Sequence, residues 1–276
     1  MFGAPQQSEN TAMLSSAPKR IVSMAPNLTE ILFALGLENE IVGVASDSDY
    51  PPQALSKSKV GTFWQPNTEA VIALNPDLII MLDNERHRPF ASSLNRAGYR
   101  VLTLELRKME HLQTSIELIG GTTDRQLQAQ GLTDKITEKL DALSSRVGAE
   151  PKVKVLWTVQ NEPLRVAGRD TFVNGIIELA GGQNAIGPTV QEYPRIGTEE
   201  LLACGAEVII EAAMGVDLKQ QRHAAGIFWS KYPNLSAVKN DRIYVVKPDT
   251  VLRLGPRLPE GLEMIARCLH PNSFVE

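Results

Sequence analysis

Two stretches of the chain, TEAVIALNPDLII (Thr68 to Ile80) and TEELLACGAEVII (Thr198 to Ile210), repeat one helix-then-strand pattern without a gap, 130 positions apart. Each joins a short segment of helical apolar spacing to a run rich in β-branched residues, the grammar of an α/β unit buried on both sides. The same alternation fills most of the chain. RIVSMA reads as a strand, and Asn27 caps the helix NLTEILFALG, with Glu30 at its third position and Gly36 as its stop. IVGVA, DLIIML and RVLTL follow as strands; Asn67 or Thr68 opens a helix that Pro76 ends, and FASSLNRAG is a helix stopped at Gly98. Later KVKVLWTV, AEVIIEA and DRIYVV read as strands, and FVNGIIELAGG, TEELLAC and the region around EGLEMIARC as helices.

Between the two series, at IGGTTD, the pattern changes. Thr122 or Thr123 is placed to cap a helix from Asp124 to about Val147, with Leu132, Ile136, Leu140, Leu143 and Val147 recurring on one face. Such a helix would span roughly 36 Å, the reach of a strut between two bodies. LFALGLENEIVG also finds an echo in IELAGGQNAIG about 145 positions later. The expected fold is therefore α/β: two Rossmann-like lobes with parallel central sheets, joined by a single long helix, with a ligand cleft between the lobes. The expected bounds are a flexible tail over 1–18, an N-terminal lobe over 19–121, the connecting helix over 122–149 and a C-terminal lobe over 150–276. At 276 residues and 43% hydrophobic, the chain is long enough for two such cores.

Several function classes drop out. A net charge of −4 with scattered Lys and Arg offers no field for a phosphate backbone, so nucleic acid is not an expected partner. No apolar run approaches the eighteen or so residues of a membrane span, so a soluble chain is expected. The first eighteen residues lack the charged and apolar regions of a secretory signal. Cys204 and Cys268 lie in helical apolar contexts and read as buried free thiols. GxGxxG, GxxxxGK[ST], GxSxG and HExxH are all missing, and His87, His111, His223 and His270 are far apart, so neither a metal site nor an intrinsic cofactor is expected. His87 and His223 read as solvated loop residues. An enzyme would have to use Asp83, Glu85 and His87, which share one loop without a titratable partner from elsewhere, so no catalytic residue is assigned.

Binding signals are stronger. Tyr50 precedes two prolines; Phe63, Trp64 and Gln65 occupy the turn GTFWQPN; Tyr193 and Arg195 stand in QEYPR; Arg253 and Arg257 stand in LRLGPR. Aromatic rings in Pro-rich loops are costly to leave in water, so they either cap a core or line a cleft. Two lobes, one strut and facing aromatic rims suit a bulky, flat, partly apolar ligand.

RIVSMAPNLTEILFALGLENEIVGVASDSDYPPQA, VGTFWQPNTEAVIALNPDLII and GGQNAIG with YPRIGTEELLACGAEVII closely resemble the helical-backbone (class III) substrate-binding proteins of ABC importers, which serve cobalamin, haem and ferric-siderophore uptake. The resemblance runs from Lys19 to the C-terminus, and SDYPPQA with the Trp-Gln pair looks most like the cobalamin-binding branch. It implies a monomeric, periplasmic or otherwise extracytoplasmic protein, with or without a lipid anchor, holding a corrinoid against Tyr50, Trp64 and Tyr193. It also implies that Glu69 and Glu199 dock into arginine pockets of a permease dimer, although an acid in a first helical turn also complements the helix dipole. Leu252 and Leu164 stand where cobalamin binders carry a polar or acidic group and an aromatic. Arg195 and Arg253 would equally suit haem propionates or a siderophore's anionic groups, but no Tyr or His stands out as an axial iron ligand.

Overall fold

The structure, a computed structural model, describes residues 17–212 and 217–275. Most of the expected 1–18 tail therefore lies outside the described residues, and Pro18 within it is buried.

The first lobe begins with β1 (Ile21–Ser23), whose three residues are all buried. Helix α1 (Pro26–Ala34) follows, then β2 (Ile41–Val44), β3 (Ser58–Lys59), α2 (Thr68–Ala73), β4 (Leu78–Leu82), α3 (Arg88–Arg96) and β5 (Val101–Leu104). The five strands form one parallel sheet in the order β3-β2-β1-β4-β5. Asn67 caps α2 by accepting from the Ala70 amide at 3.1 Å. At α1 the expected cap does not hold. The helix starts at Pro26, the cap position is Ala25, and Asn27 is buried inside the first turn, donating its Nδ2 to the Leu254 carbonyl at 3.2 Å. Glu30, also buried, faces arginines of the other lobe.

The connecting element differs from the single helix expected from Asp124. Helix α4 (Glu110–Thr123) comes first, ends at Asp124 in the left-handed region (φ 58°), and is followed by α5 (Gln126–Val147) of 22 residues, about 33 Å long. Thr123 does not cap α5; its hydroxyl donates to the Ile119 carbonyl within α4. The glycine pair that looked like a break lies inside α4, and packing requires the first of the two: a Cβ on Gly120 would collide with the Ala129 methyl of α5. Gly120 thus lets the two helices approach closely.

The second lobe contains β6 (Val153–Asn161), β7 (Leu164–Val166), α6 (Phe172–Leu179), β8 (Gly182–Asn184), α7 (Thr198–Ala203), β9 (Val208–Ala212), α8 (Leu218–Trp229), α9 (Ser236–Lys239), β10 (Ile243–Val246), α10 (Pro248–Val251) and α11 (Leu258–Leu269). Its sheet runs β10-β9-β6, and the far edge of β6 is shared: β8 pairs with its first half in parallel, β7 with its second half antiparallel. The written echo is structural, since α2 and β4 begin at Thr68 and Leu78, α7 and β9 at Thr198 and Val208.

Side chains alternate across each strand, and that period divides the core. Ile21, Leu78 and Ile80 face one large apolar cluster, whereas Val22, Ile79 and Met81 face a smaller one under α2 and α3. In the second sheet Val155, Trp157, Val208 and Ile210 join the same large cluster, and Leu156 and Ile209 face another with Leu201, Phe228 and Trp229. The inner faces of both sheets thus share one core with α1, α4, α5, α6 and α11.

The interlobe cleft as candidate functional site

A cleft of about 740 Å³ opens between the lobes. Its walls are loops that follow the carboxyl ends of strands: Asp47 after β2, Leu82 ending β4, Glu105 to Lys108 after β5, and Pro248 with Leu252 to Leu254 after β10. This is where parallel α/β sheets collect ligands, because the helix N-termini and loop amides there point outward.

Each lobe contributes one aromatic loop. In the first, Phe63 and Trp64 form the tip of a tight hairpin in which Thr62 and Gln65 exchange backbone hydrogen bonds of 3.1 and 3.2 Å and Gly61 bridges Pro66. Gly61 has φ 95°, and a Cβ there would lie 2.5 Å from the Gln65 carbonyl, so only glycine fits beneath the hairpin. The Phe63 ring meets Trp64 edge-on at 4.9 Å and His87 at 4.7 Å. Trp64 is 61% exposed, with the Arg86 guanidinium 5.5 Å from its ring.

In the second lobe Tyr193 occupies the corresponding place, and its loop is stitched to the β7 edge: Gly168 donates to the Glu192 carbonyl at 2.7 Å and Val166 to the Pro194 carbonyl at 3.1 Å. Burial, and then the Glu192 charge, push the Tyr193 phenol above its ordinary pKa. Phe63 precedes Glu69 by the interval that separates Tyr193 from Glu199, so the shared register extends from the docking candidates to the cleft.

Ionic contacts between the lobes flank the cleft. On one side Arg107 meets Glu192 and Lys108 meets Asp170, each at 3.9 Å and well exposed, so each is worth little and is screened by salt. Elsewhere at the junction the contacts centre on the buried Glu30. The Glu30 carboxylate accepts from Arg257 Nε at 2.8 Å and Nη2 at 2.5 Å, and Arg253 lies 3.5 Å away. Arg253 also contacts Asp49 at 2.7 Å and Asp249 at 2.8 Å, and Arg257 covers the Tyr50 ring at 4.0 Å. Hydrogen bonding to Glu30 raises the Arg257 pKa further.

Of the residues expected at the site, Phe63, Trp64, Tyr193 and Arg253 line the cleft. Tyr50 is instead held under Arg257, Gln65 closes the hairpin through its backbone, and Arg195 is exposed and bridges Arg165. Leu252 lines the cleft, whereas Leu164 packs in the outer core of its lobe. His87 is not solvated as expected: it is 5% exposed because Phe63 covers it, its Nε2 has no partner among the described residues, and burial lowers its pKa, with Arg86 adding to the effect against a bond to the Phe63 backbone. His87, Asp83 and Glu85 do not line the cleft, and Asp83 is paired with Arg88 at 3.2 Å. The expectation of buried thiols needs a smaller correction, since Cys204 and Cys268 are free but half-buried. Glu69 and Glu199 are both exposed in the first turns of α2 and α7, and neither has an ion pair among the described residues. Sequence reasoning missed Glu30 and His111. The available signal for Glu30 was a carboxylate within the apolar face of NLTEILFAL. Among the described residues, no group of three or more His, Cys, Asp or Glu could hold a metal, and no helix is long and apolar enough to cross a membrane.

Comparison with known proteins agrees with this architecture. Residues 21–250 match the periplasmic binding protein family. The chain is 30% identical over 276 residues to the uncharacterized ABC transporter substrate-binding lipoprotein YvrC of Bacillus subtilis, covering 98% of this chain and 85% of that one. It is 25% identical over 252 residues to the vitamin B12-binding protein of Vibrio cholerae, covering 91% and 89%. Among solved structures, a periplasmic heme binding protein from Pseudomonas aeruginosa superimposes with a TM-score of 0.80 at 28% identity, covering 92% of this chain and 94% of that one.

Proposed function

The chain belongs to the periplasmic binding protein family as a substrate-binding protein of an ABC transporter, and from that premise we propose that it captures a corrinoid of the cobalamin type and delivers it to a permease. The observation that carries the ligand class is the charge of the cleft. Asp47, Glu105, Asp170 and Glu192 are four carboxylates against the three cations Arg107, Lys108 and Arg253, and Arg253 is already engaged by Glu30, Asp49 and Asp249. With Arg107 met by Glu192 and Lys108 by Asp170, Asp47 and Glu105 are the lining carboxylates without an ion pair among the described residues, and such a wall disfavours a dianionic porphyrin or an anionic ferric chelate while tolerating a corrinoid whose rim carries neutral amides. Phe63, Trp64 and Tyr193 supply apolar faces from both lobes for a flat ring. Haem is the second reading, favoured by the likeness to the Pseudomonas protein.

Delivery, on this reading, uses Glu69 and Glu199. Two exposed carboxylates in one register on two lobes suit a two-fold permease carrying arginine pockets. The protein would act outside the cytoplasm, without an intrinsic cofactor and without catalysis.

The test is to titrate the purified protein with cyanocobalamin, cobinamide, haemin and ferric siderophores by calorimetry and tryptophan quenching. Corrinoid binding tighter than about 10 μM, roughly −7 kcal/mol, is expected; failure of every corrinoid to reach it overturns the ligand reading. Reversing Glu69 and Glu199 to Arg is expected to abolish uptake with ligand affinity unchanged. Lost affinity would place them at the ligand instead.

A further inference from the structure

His111, at the cleft end of α4, has a ring whose two nitrogens have different tasks. Nδ1 lies 3.4 Å from the Arg107 amide and 3.3 Å from the Lys108 amide, and both of these N–H groups donate to it. An acceptor that receives two backbone protons cannot carry one of its own, so the neutral ring holds its proton on Nε2. The side chain is 24% exposed and lines the cleft, and the nearest carboxylate, Glu110 Oε1, lies 3.8 Å from Nε2, too far for a hydrogen bond. A metal ligand needs the opposite arrangement, in which the far nitrogen donates and the near one offers a lone pair.

We infer that His111 is a pre-set hydrogen-bond donor that reads an amide carbonyl on the rim of the captured chelate and does not coordinate its metal. The two backbone donors fix the tautomer before the ligand arrives, so no reorganisation is needed on binding. The carboxylates around it select the acceptor. Glu105 shares the cleft wall and Glu110 is adjacent, while the neighbouring cations Arg107 and Lys108 are met by Glu192 and Asp170, so a neutral carbonyl is accepted where a carboxylate finds no free cation. His111 thereby becomes a residue that sorts ligands by the chemistry of their periphery, and this role rests on the corrinoid reading above.

The experiment has three arms. The ¹⁵N resonances of the His111 ring in the ligand-free chain, assigned by comparison with His111→Gln, are expected to show a protonated Nε2 and a bare Nδ1; the reverse overturns the inference. Calorimetry with cyanocobalamin is expected to show about 5- to 10-fold weaker binding for His111→Ala and His111→Phe, with recovery to within about 2-fold for His111→Gln, whose amide can accept with its oxygen and donate with its nitrogen. Melting temperatures of the variants separate this from a loss of fold, and equal affinity in all of them overturns the inference. Aquocobalamin, whose visible bands shift when imidazole displaces its axial water, is expected to keep its spectrum on binding; a shift that disappears in His111→Phe overturns it. Failure of cyanocobalamin to bind the wild-type chain overturns the corrinoid reading, while the ring resonances still decide between proton and lone pair.

Discussion

Removing the Glu30 carboxylate is the sharpest probe of how the two lobes hold together. Glu30 is 3% exposed and neutralises Arg257 through two hydrogen bonds, with Arg253 at 3.5 Å. In Glu30→Ala, Arg253 keeps Asp49 and Asp249, but Arg257 retains only the Asp249 carbonyl at 3.5 Å and the Tyr50 ring at 4.0 Å. Breaking a buried ion pair from one side costs about 3–5 kcal/mol, since the surviving charge stays desolvated. The remaining contacts of Arg257 place Glu30→Ala at about 4 kcal/mol, and Glu30→Gln, which keeps one acceptor oxygen, at about 2–3 kcal/mol. For a chain of this size each kcal/mol moves the melting temperature by about 2–4 °C, so differential scanning calorimetry should show Glu30→Ala about 8–16 °C below wild type. The double variant Glu30→Leu, Arg257→Met should recover more than half of the loss, because an apolar pair leaves no stranded charge. A shift below about 3 °C for Glu30→Ala, or a double variant worse than the single, would refute the view of this cluster as a buried, mutually dependent junction.

Other expectations follow from the same geometry. Trp157 and Trp229 are fully buried whereas Trp64 is largely exposed at the cleft, so ligand quenching should vanish in Trp64→Phe, and Trp64→Ala should weaken cyanocobalamin by about 10-fold, or about 1.4 kcal/mol; persistent quenching in Trp64→Phe would remove Trp64 from the site. His87 is held neutral by burial, so its stabilisation is present above about pH 6.5 and is lost as pH falls from there toward its depressed folded value. Denaturant unfolding at pH 8 and 5.5 should therefore show a loss up to about 1.4 kcal/mol larger in wild type than in His87→Gln, and equal losses would refute this. Burial pushes the Cys268 thiol up to about 11 and raises that of Cys204 as well. Alkylation by iodoacetamide at pH 8 should run roughly 100-fold slower at Cys268 in the native chain than after unfolding, and comparable rates would refute it.

How far the chain could be read before folding varied with the length of each signal. LIIML is a continuous apolar run, VKVLWTVQN and VIIEA are rich in β-branched residues, and they became β4, β6 and β9. Ser58–Lys59 is a two-residue exposed strand, and Gly182–Asn184 contains only Gly, Gln and Asn; neither carries an apolar pattern, and both exist because a neighbouring strand offers its edge. The extra helix α4 was hidden by its glycine pair, of which Gly120 serves contact with α5 and not a turn. At the site, the aromatic loops were legible because rings beside prolines have few places to go. The Glu30 cluster was not, since its partners lie 223 and 227 positions away and no local rule connects them. His87 misled for a similar reason, its cover being a ring from another loop.

The core shared by the inner faces of the two sheets bears on how the molecule can be cut or loosened. Ile21 and Leu28 near one end belong to the same buried cluster as Leu262 and Leu269 near the other, with Ile119, Ile136 and Leu143 of the connecting helices between them. Each lobe therefore completes its hydrophobic interior with side chains the other half of the chain brings. Severing the chain before α5 or after it would leave two fragments with apolar faces open to water, unlike the excision of a self-sufficient module. Unfolding should accordingly be one cooperative event, and any relative motion of the lobes has to be a small flexing over a common interior.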